Sequence, residues 1–126
     1  MQKDKIIYWV ATAIIGVMMI FSGYAYFTNP TVKEGFTHLG FPSYFRIELG
    51  IAKIIAAIVL LAPFFSKRVK EWAYAGLSIV FVSALVAHIS SGDAPGVAIA
   101  PLVLLAILGV SYLYFDKLNQ PKLVAG

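Results

Sequence analysis

Residues 44–62, YFRIELGIAKIIAAIVLLA, decide the fold. The stretch is apolar and close to the ~20 residues that a helix needs to cross ~30 Å of hydrocarbon, yet it contains Arg46, Glu48 and Lys53. At about 100° per residue its isoleucines gather on one broad stripe. Ionisable groups within a bilayer normally face the interior of a helix bundle, because lipid cannot solvate them. The stretch therefore predicts a spanning helix whose isoleucines face lipid.

The two flanks of the isoleucine stripe hold the small and charged residues. At helical spacing, Arg46, Gly50, Lys53 and Ala57 fall on one flank, and Glu48 falls on the other with two alanines. Small residues let helices approach closely without lipid between them. We therefore predict that both flanks face neighbouring helices.

The composition is that of a membrane domain. Of the 126 residues, 60% are hydrophobic and 13% are charged, whereas about 25% are charged in soluble domains. Four apolar stretches, roughly 6–27, 44–62, 71–90 and 97–115, are long enough to span a bilayer. The chain is therefore predicted to be one domain, residues 1–126, with an all-α fold of four transmembrane helices. With no cysteine, the chain acting alone cannot perform thiol–disulfide exchange or ligate iron–sulfur clusters or zinc through thiolates.

The first apolar stretch is expected to remain as an uncleaved helix. A basic N-terminus and the small-x-small triplet 23–25 suggest a signal peptide. The apolar run 6–21 is, however, longer than a usual signal core and continues into aromatic residues. Gly16 and Gly23 lie seven residues apart on one face, which favours close helix packing.

The first loop is predicted to contain a short amphipathic helix, the alternative being an irregular connector. Thr31-Val-Lys-Glu34 has the pattern of a capping box, with Thr31 as the N-cap residue. Gly40 occupies the position of a C-terminal glycine cap. His38 lies in this segment and is expected to be solvated rather than a ligand.

The third apolar stretch has one small-residue face, which includes Gly76 and Ser83. His88 projects about 100° from that face, and its spacing leaves open whether it turns into the bundle or reaches the headgroups. Glu71 and Trp72 begin the stretch and are expected to act as a helix-dipole partner and an interfacial anchor.

The basic residues predict the orientation. With four crossings, seven of the ten lysines and arginines lie on the side of both termini: Lys3, Lys5, Lys67, Arg68, Lys70, Lys117 and Lys122. Both termini of this multi-pass protein are therefore expected in the cytoplasm, with the chain in the cell (inner or plasma) membrane. These residues flank membrane segments instead of forming a groove-sized patch, so membrane lipids are the expected partners and nucleic acid is not. Lys53 would then lie near the midplane.

Five short motifs carry a family resemblance: His38-Leu-Gly-Phe-Pro42, Leu49-Gly-Ile-Ala-Lys53, Leu60-Leu-Ala-Pro63, Glu71-Trp-Ala-Tyr-Ala-Gly-Leu77 and Ala87-His88. Over roughly residues 7–115 the chain resembles the DoxX-like family of small four-helix membrane proteins. The resemblance implies an integral membrane protein of bacterial type. The wider DoxX group includes a subunit linked to thiosulfate:quinone oxidation and members associated with redox enzymes. It supplies no catalytic role for the matched positions Lys53, Glu71 and His88.

The first functional hypothesis is a redox-associated subunit that binds a quinone or similar amphiphile in an outward-side polar pocket. The candidate ligand-binding residues are Arg46, Glu48, Lys53, His88, Tyr24 and Tyr44. The basic side chains would donate hydrogen bonds to carbonyl oxygens, a tyrosine would pack against the ring, and the carboxylate would relay a proton. A purely structural interpretation pairs that carboxylate with a buried cation to fix helix register. The sequence has no haem or flavin signature, so electron transfer would need a partner redox enzyme.

Two further hypotheses involve no redox ligand. A non-enzymatic scaffold would bind a partner protein or a second copy through its small-residue faces. A small multidrug-type exporter would need an acid within the first membrane helix, and no charge occurs between Lys5 and Lys33. No metal site is expected.

Overall fold

The computed structural model describes residues 2–119, which form helices joined by short turns and contain no strand. The helices are α1 (Gln2–Thr28), α2 (Pro30–His38), α3 (Ser43–Leu61), α4 (Lys67–Ser90) and α5 (Pro95–Asn119). The all-α prediction is confirmed. The last helix extends beyond the predicted span 97–115 as far as Asn119, and residues 120–126 lie outside the described residues.

By length and composition, α1, α4 and α5 are helices that can cross a membrane. The 19 residues of α3 are also sufficient in length, but they include Arg46, Glu48 and Lys53, and α3 does not meet the same criterion. On these grounds the structure has three candidate spans where the sequence predicts four.

The four long helices form a ring around which α1 is followed by α3, α4 and α5. Each long helix packs against its two neighbours in the ring, so α1 lies diagonally opposite α4. The short helix α2 contacts α1 and α3. The space along the axis of the ring is filled by packed side chains at one end and contains a cavity at the other.

Close packing joins α1 to α3 in antiparallel orientation. A methyl group in place of the Gly16 hydrogen would lie 2.5 Å from Leu61 Cγ. At Gly23 it would lie 2.6 Å from Ile54 Cγ1 and 2.8 Å from the Gly50 carbonyl oxygen. These distances leave no space for a side chain. The predicted packing role of the two α1 glycines is confirmed.

The faces of α3 follow the predicted pattern on one flank only. Arg46, Gly50 and Lys53 are buried, while isoleucines such as Ile55, 56% exposed, cover the outer face. Glu48, on the other flank, is exposed. On this second flank only Ala56 packs against the core, so the prediction that the flank faces a neighbouring helix is wrong at Glu48 and Ala52, which are exposed.

The short amphipathic helix exists, but it begins differently from the prediction. Asn29, not Thr31, is the N-cap residue, and its side-chain oxygen accepts a hydrogen bond from the Thr31 amide at 2.8 Å. Asparagine is a preferred N-cap and proline is favoured at the first helical position, so Asn29-Pro30 prevails over the capping box. Gly40 follows the helix with φ of +85°, as expected of a glycine after a helix C-terminus.

The end of the ring that holds the N-terminus and the α3–α4 turn has a solid core. It is built from apolar side chains of all four long helices, including Tyr8, Leu60, Leu77 and Phe115. Within it the Ser111 hydroxyl lies 2.7 Å from the hydroxyls of both Thr12 and Tyr74, which links α1, α4 and α5. Beside this core lies a small cleft of about 190 Å³, lined by residues that include Trp9, Pro63, Lys70 and Phe115. It is smaller than the ~300–1,000 Å³ of a typical ligand site.

Candidate functional site

The opposite half of the ring contains a partly open cavity of about 880 Å³. Its wall is formed by the C-terminal halves of α1 and α4, the N-terminal halves of α3 and α5, and α2. Ligand sites typically occupy ~300–1,000 Å³ and are lined by apolar groups with a few polar ones. Most lining side chains are apolar, among them Met18, Met19, Phe45, Phe81, Val97 and Leu104. The cavity therefore has the size and lining of a small-molecule site.

Aromatic side chains hold α2 over one side of the cavity. The Phe36 ring packs edge-on against Tyr26 of α1, with 4.9 Å between ring centroids. It also contacts Phe41 and Phe45, which lie before and within α3. The amphipathic sequence of α2 thus turns its apolar residues inward and makes it a wall of the cavity.

Lys53 supplies the cationic group in the wall of this cavity. The residue is 6% exposed, and its ammonium donates hydrogen bonds to Ser22 Oγ at 3.1 Å and to the Tyr26 hydroxyl. An ammonium has three N–H donors, so one remains for a ligand. Within residues 2–119 no carboxylate forms an ion pair with Lys53.

Arg46 lies two turns before Lys53 on the same face of α3 and is also 6% exposed. Its guanidinium donates a hydrogen bond to the Tyr26 carbonyl oxygen. This carbonyl belongs to the last turn of α1, where carbonyls lack a partner within the helix and the dipole favours a cation. Arg46 therefore caps α1 beside the cavity and is not among the residues that line it.

At the α2 end of the cavity, Asp93 joins two histidines. One carboxylate oxygen lies 2.7 Å from His38 Nε2 on α2, and the other lies 2.7 Å from His88 Nδ1 on α4. The hydrogen bonds from His88 and then His38 hold the pKa of Asp93 below its ordinary value of 3.8. The three side chains tie α2 to the α4–α5 turn. In the part of the chain that the structure describes, no group of three or more histidine, cysteine, aspartate or glutamate residues, this cluster included, is placed to hold a metal ion.

The structure brings two of the six sequence-predicted site residues to the cavity wall, Lys53 and His88. His88 faces the bundle, which resolves the alternative that its spacing left open. Tyr24 and Tyr44 are 63% and 71% exposed, so neither packs along the cavity.

The remaining two predicted residues do not line the cavity. Arg46 lies behind the wall. Glu48 is exposed and, within the described residues, forms no ion pair with either buried cation of α3. The structural interpretation of Glu48 as half of a buried pair is therefore wrong.

Five polar wall residues were not among the predicted site residues: Ser22, Tyr26, His38, Ser83 and Asp93. Ser22 and Tyr26 are spaced i, i+4 on α1, and that spacing was the available signal. His38 was expected to be solvated; its side chain is 58% exposed, but it is bonded to Asp93. Nothing in the sequence around Asp93 distinguishes it from an ordinary turn aspartate.

Comparison with known proteins places the chain in a family. No curated protein and no solved structure matches it. The sequence pattern of the DoxX-like family matches residues 10–111, which is most of the chain. Together with the long apolar helices, this match identifies a multi-pass membrane protein. The chain belongs to the DoxX-like family.

Proposed function

We propose that all four long helices cross the membrane and that the cavity binds a small amphiphile. For α3 the support is its antiparallel packing on α1, which extends from Gly16–Leu61 through Gly23–Gly50 to the hydrogen bond between Arg46 and the Tyr26 carbonyl, about 22 Å along α3. A helix packed along a spanning helix over this length crosses the same hydrocarbon layer. Two of the three α3 charges are buried in the bundle, and the isoleucine face is the one exposed to lipid.

The observation that carries the ligand proposal is a buried ammonium with an unused donor at an apolar cavity of about 880 Å³. The polar head of the ligand lies at Lys53, Ser22 and Tyr26, where it accepts hydrogen bonds. Its apolar body fills the space between α4, α5 and α2. An amphiphile fits both parts of this surface, because a fully polar molecule would leave its own groups unpaired against the apolar wall.

A quinone is the redox-active example of such a ligand. Its carbonyl oxygens accept from the Lys53 ammonium, and its ring and tail pack on the apolar wall. In this version the chain is a redox-associated subunit that presents the quinone to a partner enzyme, which exchanges electrons with it. The family membership and the position of Lys53 support this version.

The proposal is tested by native mass spectrometry of protein extracted in mild detergent and reconstituted with a short-chain ubiquinone. We expect one amphiphile per chain. Ala84 lines the cavity, whereas Ala75 on the same helix is exposed and does not. Ala84→Phe should therefore abolish retention and Ala75→Phe should leave it intact. Equal retention by both variants, or no retention by the wild type, would contradict the proposal.

The scaffold function has its own supporting observation. Among the described residues, no atom outside the local helix backbone lies within 4 Å of a Cβ added at Gly76 on α4 or Gly109 on α5, unlike at the packed glycines of α1. Close contact with another transmembrane helix would use this open surface. Crosslinking in membranes from single-cysteine variants at these positions tests it, and absence of any crosslinked species would rule it out.

A further inference from the structure

Buried charge within residues 2–119 is all of one sign. The buried charged residues are Arg46, Lys53 and Lys70, and no aspartate or glutamate is buried with them. An uncompensated buried charge is costly, so each cation needs a source of negative potential. Arg46 and Lys70 have one source of negative potential, and Lys53 has a different environment.

Arg46 and Lys70 are compensated by helix ends. Arg46 donates to the Tyr26 carbonyl in the last turn of α1. Lys70 donates at 3.1 Å to the Leu60 carbonyl in the last turn of α3. Both cations therefore meet unpaired carbonyls at the negative end of a helix dipole.

Lys53 meets neither a helix end nor an anion within residues 2–119. Its ammonium donates to the Ser22 and Tyr26 hydroxyls and lies 4.2 Å from the centroid of the Tyr26 ring, and none of these groups carries a formal charge. Asp93 also lines the cavity, but each of its carboxylate oxygens is hydrogen-bonded to a histidine. The ammonium thus faces an apolar cavity without an anion from the described chain.

We infer that the ligand itself supplies the anion and is a monoanionic carboxylic acid with an apolar body. This inference rests on the proposed function, because it concerns the head of the same ligand. One carboxylate oxygen accepts the third N–H of Lys53. The Tyr26 hydroxyl accepts from the ammonium through a lone pair and keeps its own hydrogen for donation to the second oxygen. A single uncompensated cation matches one negative charge, and the Asp93 carboxylate disfavours a second.

The test compares ligands that differ only in the head: hexadecanoate, its methyl ester and hexadecan-1-ol. Binding is measured at neutral pH to the full chain in nanodiscs of neutral phosphatidylcholine, by displacement of a fluorescent fatty acid. A charge-assisted hydrogen bond is about twice as strong as a neutral one, so we expect the acid to bind about tenfold more tightly than the ester. Lys53→Gln should remove this preference. Lys70→Gln, which removes a buried cation in the other half, should retain it.

The outcomes separate this inference from the proposed function. Equal affinities of acid and ester for the wild type would overturn the anionic head while leaving amphiphile binding in place. A preference for the acid that survives Lys53→Gln would also overturn it, because the head would then lie elsewhere. Failure of all three ligands and of the short-chain ubiquinone to bind would instead defeat the proposed function. The wild-type comparison needs no variant, so it holds even if Lys53→Gln folds poorly.

Discussion

The side chain of Lys53 loses most of its hydration when the chain folds and gains two hydroxyl partners and a contact with the Tyr26 ring in return. Burying a charge without an ion-pair partner has a large desolvation cost, and an apolar side chain of similar size avoids that cost. We therefore predict that Lys53→Met raises the free energy of unfolding by about 1 kcal/mol. The same substitution should remove ligand binding. Equilibrium unfolding by denaturing detergent, followed by circular dichroism, measures this change.

Lys70→Met is the matched control, since Lys70 is equally buried but caps α3 through the Leu60 carbonyl. Its removal leaves that carbonyl unpaired and should cost about 1–3 kcal/mol. Opposite signs for the two variants would mark Lys53 as a residue retained for function. A destabilisation by Lys53→Met as large as that of Lys70→Met would instead assign Lys53 a structural role.

Asp93 gives the site a pH dependence whose sign follows from its depressed pKa. A carboxylate with a folded-state pKa below 3.8 stabilises the folded state above that pH, and the contribution disappears as the pH falls through the folded-state value. The melting temperature of Asp93→Asn should therefore lie below that of wild type at pH 7 and converge with it under acid conditions below about pH 4. Glu48→Gln, at an exposed carboxylate without an ion pair, should match wild type at pH 7. A constant difference for Asp93→Asn across this range would show that its carboxylate does not stabilise the fold through its charge.

At the scale of elements, the α1–α3 interface leaves no space for larger side chains at its glycines. A methyl group at Gly23 would meet the Gly50 backbone oxygen at 2.8 Å, and a backbone atom cannot rotate away. Overpacking of this kind costs about 1–3 kcal/mol, so Gly23→Ala should destabilise the chain by that amount. At Gly109, where no atom lies within 4 Å, alanine should be neutral or stabilise by up to about 1 kcal/mol through helix propensity. Equal effects in the detergent unfolding assay would show that α1 and α3 are not in such close contact.

The elements themselves were largely predictable because hydropathy and small-residue spacing are local properties. The predicted spans differ from the helices mainly at their ends: α1 and α5 continue into polar turns that hydropathy does not mark. Periodicity correctly located the buried flank of α3, which includes Lys53. It could not identify Ser22 as a partner of Lys53, because that contact depends on how α1 and α3 are paired. It also assigned Tyr44 to the site, since an outward interfacial ring and an inward one have the same spacing.

At the scale of the whole molecule, the two ends of the ring have different roles: one is a packed core and the other holds the cavity. The terminal end is filled by apolar side chains and a satisfied polar network around Ser111, which fixes how the helices are arranged. The α2 end is partly open, and Lys53 and the hydrogen-bonded group of His38, His88 and Asp93 lie in its wall. A rigid end that holds a wide end open is a means of maintaining a binding cavity without a large protein.

The orientation of this molecule follows from the proposal that α3 crosses the membrane. If it does, α2 and the α3–α4 turn lie on opposite sides, and the distribution of basic residues predicts a cytoplasmic α3–α4 turn. The chain has no cysteine, so single cysteines at the exposed positions Thr37 and Lys67 report each side separately. We predict that a membrane-impermeant maleimide labels Thr37→Cys in intact cells and labels Lys67→Cys only after permeabilisation. The reverse pattern would invert the orientation, and labelling of both variants from the same side would show that α3 does not cross.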